Sequence, residues 1–331
     1  MFKDIFETRI FIMLRLGMLG CGKMAAKMAD ALKGHDDIVI AGVAARDRSK
    51  AKAFAAAHCP DAKVYTNYSK LAAANDIDLI YIATPNTYHY EHAIMCLKEY
   101  KNILVEKPFT MSRAEADSIF FEAKNRNLFV AEAMWTSFMP LHSQILEWVD
   151  EGRIGQIKYI SANLGYDITD VPRLNDPVLG GGAYLDLGCY TTNLALSLMK
   201  DDVKVSRVFA RKYSTGIDKD TTYCLETDDG STLAVLYVTM TANTDKNADI
   251  IGESGRIHVT DINNYRMIEL YDEDGELVET AEAEGPLYEG YAIEVLACAD
   301  AISKGLVQAP EMPWSKTARI ATINDIVRSM M

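Results

Sequence analysis

The sequence predicts an α/β protein of two domains: an N-terminal, doubly wound parallel sheet of the Rossmann type, then an α+β domain with an open, mainly antiparallel sheet. Up to about residue 135, apolar runs of strand length alternate with helical stretches, as in a parallel sheet with helices on both faces. Beyond that point polar and apolar residues alternate, and Asp-Gly pairs between the runs indicate hairpins. A chain of 331 residues with 49% hydrophobic content is long enough for both domains.

The first half of the sequence alternates between strand and helix patterns from residue 14 onward. A short apolar run over 14–19 leads into a glycine turn, and each later element follows from a change of hydrophobic period. In order, we predict strands over 14–19, 38–45, 78–86 and 102–108 and a last run over 128–135, with helices over 23–32, 48–58, 89–101 and 113–127 between them.

The second half is predicted to be mostly strands. Alternating patterns cover residues 154–167, 203–214, 221–240 and 255–283, with Asp229-Gly230 and Asp274-Gly275 at the hairpin turns, and a helix closes the chain over 314–331. We therefore place a dinucleotide-binding domain at 13–135 and a substrate-binding and oligomerisation domain at 136–331. Residues 1–12 precede a second methionine, Met13, and are predicted to be a dispensable leader.

Composition excludes several classes of partner. A formal net charge of −13 argues against nucleic acid and anionic lipid, because both are bound by basic patches. No apolar run approaches the roughly 18 residues of a membrane-spanning helix, and no signal-peptide pattern occurs, so we expect no membrane partner and a cytoplasmic protein. The six cysteines are scattered, without C-x-x-C or histidines at ligand spacing, so neither a disulfide framework nor a metal site is predicted.

A glycine-rich turn joins the first strand to the first helix. Residues 20–25 form the G-x-G-x-x-A pattern of dinucleotide-binding turns. Gly20 permits the tight turn, Gly22 lets the backbone approach the pyrophosphate, and Ala25 lets helix and strand pack closely. The helix N-terminus, with Lys23 and Met24, then faces the phosphates. We predict a dinucleotide site here.

The end of the second predicted strand selects the cofactor. An NAD site usually has an acidic residue there for the ribose 2′-hydroxyl, but Ala44 and Ala45 occupy this place and Arg46 follows. A guanidinium can meet a 2′-phosphate with paired N–H donors, so we predict NADP, with NAD as the runner-up. The alternative is that Arg46 is an ordinary solvated side chain and that Asp47 binds the ribose.

The stretch “LVEKPFT”, residues 104–110, places charged residues directly after a buried strand. Ligands of open α/β sheets bind at the carboxyl ends of the strands. We therefore expect Glu106 and Lys107 at the cofactor, with the Lys107 ammonium pointing toward it. A surface lysine at a turn is the alternative.

Several motifs in order resemble one family. They are “GMLGCGKMA”, “ATPNTYHYEHA”, “ILVEKPFT”, “GGGAYLDLGCYTTNL” and, more weakly, “GESGRIHV”. From Met13 onward the chain resembles the glucose-fructose oxidoreductase, inositol dehydrogenase and rhizopine-catabolism (Gfo/Idh/MocA) family, and E-K-P followed by D-x-G-x-Y is highly specific for it. “VAARDRSKAKAFA”, “AEAMWTSFMP” and “VPRLNDPVLGGGAYLDLGCY” are similar to its NADP-using dihydrodiol and xylose dehydrogenases.

The resemblance implies a nicotinamide domain and a second domain whose sheet carries substrate on one face and a subunit contact, in a homodimer or homotetramer, on the other. It also implies hydride transfer at a carbinol carbon. Lys107 would bind the substrate hydroxyl and the nicotinamide ribose, and Asp186 and Tyr190 would complete the site. Inositol-oxidising members carry histidine in place of Tyr190, which argues against inositol. The loop that skirts the nicotinamide ribose matches Thr84, Pro85 and Asn86.

The residue types themselves support proton transfer by Tyr190. Asp186 and Tyr190 are four apart on a predicted helix and so share a face, and Gly188 leaves room for a ring. A neighbouring ammonium favours a phenolate, so we expect Lys107 to lower the pKa of Tyr190 below its usual value near 10. Asp186 would orient Lys107 or the substrate. A half-buried core tyrosine is the alternative.

Two further residues are candidate substrate contacts. Trp135 either walls the substrate pocket or packs at the domain junction, and Arg173 either contacts substrate or holds the loop before the glycine run. His89 and His92 follow the “ATPN” loop at helical spacing, but the sequence offers no third ligand, so both are predicted to be structural.

The combined prediction is a metal-free NADP-dependent dehydrogenase or reductase of a small sugar, polyol or diol. One alternative is a redox-neutral enzyme that uses nicotinamide transiently, for example in glycoside cleavage. The other is a non-catalytic nucleotide-binding sensor, against which the intact set of Lys107, Asp186 and Tyr190 argues.

Overall fold

A computed structural model describes residues 13–200, 202–285 and 289–331, so the predicted leader lies outside the described residues. The first half alternates between strands and helices. Its strands are β1 (Leu14–Leu19), β2 (Ile38–Ala44), β3 (Lys63–Tyr65), β4 (Leu79–Ile82), β5 (Asn102–Glu106) and β6 (Val130–Ala133). Its helices are α1 (Lys23–Ala31), α2 (Arg48–His58), α3 (Tyr68–Ala72), α4 (His89–Lys98) and α5 (Arg113–Arg126).

These strands form one parallel sheet in the order β3-β2-β1-β4-β5-β6, which confirms the doubly wound prediction. Every residue of β4 and β6 is buried, as expected for strands covered on both faces. The short elements β3 and α3 were not predicted, because three and five residues are too few to show a hydrophobic period. The strand order reverses between β1 and β4, where ligands of such sheets bind.

The second sheet has eight strands in the order β14-β13-β12-β11-β7-β10-β9-β8. All neighbours are antiparallel except β7 and β10, which confirms a mainly antiparallel sheet. Asp229-Gly230 and Asp274-Gly275 lie in the predicted hairpins, whereas β11 was missed. The strands are β7 (Ile157–Gly165), β8 (Val203–Lys212), β9 (Asp218–Thr227), β10 (Leu233–Thr239), β11 (Ala248–Gly252), β12 (Gly255–Thr260), β13 (Met267–Asp272) and β14 (Leu277–Glu282).

Two of the remaining helices connect the second half of the chain to the first domain. Helices α7 and α9 cover strands of the second sheet, while α8 contacts α1 and α9 contacts α5 of the first domain. The Trp314 indole N–H donates to the Val130 carbonyl at 2.9 Å, so the end of the chain is tied to the edge of the first sheet. None of the described helices is long and apolar enough to cross a membrane. These helices are α6 (Pro140–Asp150), α7 (Cys189–Leu198), α8 (Gly290–Ser303) and α9 (Trp314–Met330).

Candidate active site

The turn between β1 and α1 fits the pyrophosphate of a dinucleotide. Gly20 has a φ of +108°, and a Cβ there would lie 2.4 Å from the Ala83 carbonyl oxygen, so only glycine fits. Gly22 begins α1 with no side-chain cap, and a Cβ at Gly22 would meet no described atom within 4 Å. The first N–H groups of α1 therefore face an open cradle, which suits a phosphate.

The exposed Arg46 lies at the end of β2, one residue beyond the buried Ala45. The neighbouring carboxylate of Asp47 accepts hydrogen bonds from the Ser49 N–H and hydroxyl, both at 2.8 Å, and thereby caps α2. Because Asp47 already caps a helix, the geometry favours Arg46 over Asp47 as the side chain that meets the adenosine ribose.

Lys107 and Asp186 lie together, although they are 79 residues apart in the chain. The Lys107 ammonium donates to the Asp186 carbonyl oxygen at 2.7 Å and lies 3.5 Å from its carboxylate. Arg173 donates to the same carboxylate at 2.8 Å, with its own side chain 41% exposed. The contact with Asp186 supports the prediction that Arg173 holds the loop before the glycine run. The half-exposed guanidinium of Arg173 also borders the cleft.

These contacts fix the charges of the pair. Burial by itself lowers the pKa of Lys107, but Asp186, with Cys189 and Glu106, outweighs it, so the pKa is raised. Burial by itself raises the pKa of Asp186, and the neighbouring Lys107 and Arg173 bring it below its ordinary value. The site therefore holds an ammonium and a carboxylate at neutral pH.

Tyr190 lies next to Lys107 and is held by Trp135. The Lys107 ammonium is 4.8 Å from the centre of the Tyr190 ring, and the Trp135 indole N–H donates to the Tyr190 hydroxyl oxygen at 3.2 Å. Trp135 is only 1% exposed and stacks on Tyr291, with ring centres 4.4 Å apart. Its indole is thus packed at the domain junction and orients the tyrosine.

The expected depression of the Tyr190 pKa is wrong. Burial raises the pKa of Tyr190 well above its ordinary value, and Cys189 and Glu106 raise it further. The ammonium of Lys107 faces the ring and not the hydroxyl, so it does not select the phenolate. Tyr190 is a neutral phenol whose oxygen accepts from Trp135 and whose proton is left for donation.

The segment that carries Asp186 and Tyr190 is helical, but not uniformly α-helical. Residues Tyr184–Gly188 form a π-helical turn that runs into α7. A Cβ at Gly188 would lie 2.7 Å from the Tyr184 ring, so the room that this glycine leaves is taken by Tyr184 and not by a ligand ring. The wider turn sets the spacing of Asp186 and Tyr190 in place of the predicted α-helical face.

Glu106 is turned into the core. Its carboxylate accepts hydrogen bonds from the Tyr81 hydroxyl and, at 3.1 Å, from the Lys107 backbone N–H, and it is 5% exposed. The prediction that Glu106 contacts the cofactor therefore has no support from its side chain. Glu106 instead fixes the chain on the N-terminal side of Lys107.

The loop from Thr84 through Pro85 to Asn86 follows β4, the next strand after the glycine turn in the sheet. The Asn86 side-chain amide donates to the Gly180 carbonyl at 3.1 Å, which joins this loop to the glycine run of the second domain. The Thr84 hydroxyl lies 3.0 Å from His92 Nδ1. Both side chains are thus occupied by protein contacts at the edge of the cleft.

Two further buried side chains bind the loop after β5: His89, which was predicted to be structural, and Glu132, which was not singled out from the sequence. His89 lies 2.9 Å from the Pro108 carbonyl oxygen through Nδ1, and Glu132 accepts from the Phe109 N–H at 3.2 Å. One sequence feature could have singled out Glu132: it lies in the apolar run that forms the fully buried strand β6, and buried acids are rare without a partner. Among the described residues, no group of three His, Cys, Asp or Glu side chains could hold a metal ion.

Comparison with known proteins gives two profile matches. The Gfo/Idh/MocA profile described as “Oxidoreductase family, NAD-binding Rossmann fold” matches residues 14–133, and the “GFO/IDH/MocA C-terminal domain” profile matches residues 142–258. Together they cover most of the chain, with the whole first sheet and strands β7 to β11 of the second sheet.

Individual relatives extend along nearly the whole chain. Trans-1,2-dihydrobenzene-1,2-diol dehydrogenase of Xenopus laevis is 33% identical over 87% of this chain and 88% of its own. D-xylose 1-dehydrogenase (NADP(+)) of Hypocrea jecorina is 28% identical over 92% of this chain and 88% of its own. Among solved structures, a 3-ketoreductase from Actinomadura kijaniata in complex with TDP-benzene and NADP has a TM-score of 0.81 at 25% identity, covering 96% of this chain and 97% of that chain.

Proposed function

This chain belongs to the Gfo/Idh/MocA family of oxidoreductases, and we propose that it is an NADP-dependent dehydrogenase or reductase of a small sugar, polyol or diol. The observation that supports the proposal is the buried group of Lys107, Asp186 and Tyr190 at the carboxyl end of β5, on the same edge of the sheet as the glycine turn and the Thr84 loop. The similarity to dihydrodiol and NADP-dependent xylose dehydrogenases supports the substrate class and the cofactor.

In this proposal residues at the switch point of the first sheet would hold the cofactor. The first turn of α1 would bind the phosphates, Arg46 would bind the 2′-phosphate, and NADP(H) bound there would supply the hydride acceptor or donor. The residues at the pyrophosphate are Gly20, Gly22, Lys23, Met24 and Ala25, and those at the nicotinamide end are Thr84, Pro85, Asn86 and Lys107.

The chain's own residues handle the proton. Oxidation of a carbinol also releases the hydroxyl proton, and reduction of a carbonyl takes one up. In reduction, Lys107 and Tyr190, which both carry a proton at neutral pH, donate hydrogen bonds to the carbonyl oxygen, and one of them gives its proton to that oxygen as the hydride arrives. Oxidation is the reverse step, and the same group must first release its proton to solvent so that it can take the hydroxyl proton. Asp186 keeps Lys107 charged, and Trp135 directs the Tyr190 hydroxyl.

Arg173 extends the site toward solvent. It shares the Asp186 carboxylate with Lys107, and its half-exposed guanidinium has further N–H donors for a second substrate hydroxyl. A substrate with adjacent hydroxyl groups would use both cations, which agrees with the proposed diol or sugar.

We also propose a homodimer or homotetramer formed through the outer face of the second sheet. On this face Leu233 of β10 pairs with Tyr159 of β7, which in turn pairs with Ile251 of β11, and Val235 and Tyr237 follow along β10. Leu233 is 39% and Ile251 38% exposed, so apolar surface remains uncovered. The cytoplasm is the proposed compartment, supported by six cysteines that are all free thiols.

The test is a cofactor assay over a panel of pentoses, hexoses, polyols and vicinal diols, with the matching ketones and lactones for the reverse direction. We expect absorbance change at the nicotinamide band with at least one sugar or diol, and a higher kcat/KM with NADP(H) than with NAD(H). Lys107→Ala should lower kcat by about 100-fold or more, within the range of positioned acid–base catalysis, while NADP still binds. Cofactor that stays bound without net oxidation or reduction on any substrate would reject the proposal.

A further inference from the structure

The peptide unit that joins Pro108 to Phe109 is bound on both of its polar sides by buried side chains. Its N–H donates to Glu132 Oε1 at 3.2 Å, and its carbonyl oxygen lies 2.9 Å from His89 Nδ1. His89 is 0% and Glu132 2% exposed. They come from different elements, α4 and β6, that flank the loop after β5. This peptide unit begins one residue after Lys107.

His89 also reaches a second loop. Its Nε2 lies 2.9 Å from the Thr84 carbonyl oxygen, so the ring stands between two carbonyl groups. Burial lowers the pKa of His89 to about 4, so at neutral pH one ring nitrogen carries a proton and only one of the two carbonyls receives it. A peptide whose N–H is bonded to a carboxyl group has a more polarised carbonyl. The Pro108 oxygen is therefore the stronger acceptor, which favours a proton on Nδ1.

We propose that His89 and Glu132 clamp the Pro108–Phe109 peptide and thereby position Lys107 for proton transfer. The proposal rests on the proposed function, in which Lys107 acts on the substrate oxygen. Glu106 already fixes the other side of Lys107 by accepting its backbone N–H at 3.1 Å. With the clamp, the backbone is held on both sides of Lys107, whose ammonium donates to the Asp186 carbonyl at 2.7 Å.

A contact that positions a catalytic side chain can have a large effect on the reaction rate. A misplacement of about 1 Å in a reacting group can cost about 100-fold in rate. An acid in a fully buried strand has a desolvation cost that an apolar residue would avoid, and the bond to Phe109 offsets part of it. His89 and Glu132 are positioning residues, since neither one is placed at the substrate.

The experiment removes each arm of the clamp and then restores its polar atom. His89→Leu and Glu132→Leu delete the donor and the acceptor, whereas His89→Asn keeps an amide N–H near Nδ1 and Glu132→Gln keeps a carbonyl oxygen at Oε1. We expect kcat to fall about 10- to 100-fold in both leucine variants, with the KM for NADP within about threefold of wild type, and to recover in the conservative variants. His142→Leu, which alters a buried histidine bonded to Tyr265, is the matched control and should keep kcat.

Two measurements do not need turnover. In ¹⁵N-histidine NMR spectra of the wild type, the His89 ring should be neutral and protonated on Nδ1, and crystal structures of the leucine variants should show Lys107 displaced from the Asp186 carbonyl. Wild-type kcat in folded leucine variants, an unmoved Lys107, or a proton on Nε2 would each overturn the clamp. If the leucine variants fail to fold, a loss of kcat of about 10- to 100-fold in the folded Asn and Gln variants, which keep the polar atoms, would overturn it. An enzyme inactive on every substrate would count against the proposed function, and the structures would still decide the clamp.

Discussion

Tyr190 is the residue whose environment departs furthest from what its sequence motif suggests. Its hydroxyl oxygen accepts from Trp135, its ring lies under the Lys107 ammonium, and burial keeps its pKa well above the ordinary value. The phenol is therefore protonated at neutral pH. In the reduction direction it donates a hydrogen bond or its proton to the substrate oxygen, and it is not a resident phenolate.

The first prediction is that Tyr190→Phe lowers kcat by about 100- to 10,000-fold, because it removes a positioned proton donor and keeps the ring. Since the raised pKa keeps the phenol protonated, the wild type should show no ionisation of Tyr190 between pH 6 and 9, and the two kcat profiles should run parallel. Initial rates across this range check it. Tyr265→Phe, a buried tyrosine bonded to His142, is the control and should keep kcat. A basic limb present only in the wild type would contradict the prediction.

The second prediction concerns Arg46, which is exposed beside the Asp47 cap of α2. Arg46→Ala should weaken NADP binding by about 1–3 kcal/mol, the range for charge-assisted hydrogen bonds, and leave NAD binding nearly unchanged. Calorimetric titration of both cofactors at one ionic strength measures this. Arg48→Ala, two residues on at the start of α2, controls for general loss of positive charge. Equal weakening of both cofactors would show that Arg46 does not read the 2′-phosphate.

Helix α8 carries an acid into the space between the two domains. Glu294 is 0% exposed, and neither of its carboxyl oxygens meets a hydrogen-bond partner in the part of the chain that the structure describes. Burial, with a further contribution from Glu106, raises the pKa of Glu294 well above its ordinary value. Its other titratable neighbours, Tyr81, Tyr291 and Cys298, have raised pKa values and are neutral at pH 7. The folded protein therefore holds Glu294 as a neutral acid.

The third prediction follows from linkage. Folding takes up a proton at Glu294 once the pH exceeds the unfolded pKa of about 4.3, so wild-type stability falls by up to about 1.4 kcal/mol per pH unit from there toward the raised folded pKa. Glu294→Gln mimics the neutral acid and lacks this loss. The stability of the variant relative to wild type should rise between pH 5 and 8 in urea unfolding series. The exposed Glu273→Gln is the control, and a pH-independent difference for Glu294→Gln would mean that the acid is ionised in the fold.

The two sheets of the molecule are connected by a shared apolar core and by helices from the end of the chain. One apolar core includes Leu16 and Tyr81 of the first sheet and Ile160 and Leu236 of the second. Helices α8 and α9 return from the second domain to contact α1 and α5. The boundary predicted near residue 135 stays a prediction, but the residues after 289 clearly contact both sheets.

The fourth prediction tests the outer face of the second sheet. Tyr237 lies on β10 between Thr222 of β9 and Asn163 of β7, near the middle of that face. Tyr237→Asp should convert the proposed dimer or tetramer into smaller species, because a buried unpaired carboxylate costs several kcal/mol. Light scattering after size exclusion measures the mass. Phe121→Asp, at an exposed aromatic on α5 that is 67% accessible, should leave the mass unchanged. A monomeric wild type would reject this interface.

The sequence by itself determined the features that depend on neighbouring residues. The changing period of the hydrophobic pattern predicted the alternation of strands and helices from β1 to β6. The glycine at position 20 predicted the turn after β1, because this turn requires a positive φ that glycine adopts freely. It also placed Lys107 at the end of β5, because strand ends follow from local pattern. The hairpins at Asp229 and Asp274 were predicted for the same reason.

Only the tertiary structure decided what depends on distant residues and on burial. The parallel pairing of β7 with β10, the contact of Lys107 with Asp186 and the clamp on Phe109 join residues far apart in the chain, which no local pattern specifies. The Tyr190 pKa was predicted in the wrong direction because a sequence shows that an ammonium is near, but not that it faces the ring or that water is excluded. Desolvation is a property of the whole packed molecule, so its effect on a charge appears only when the fold is complete.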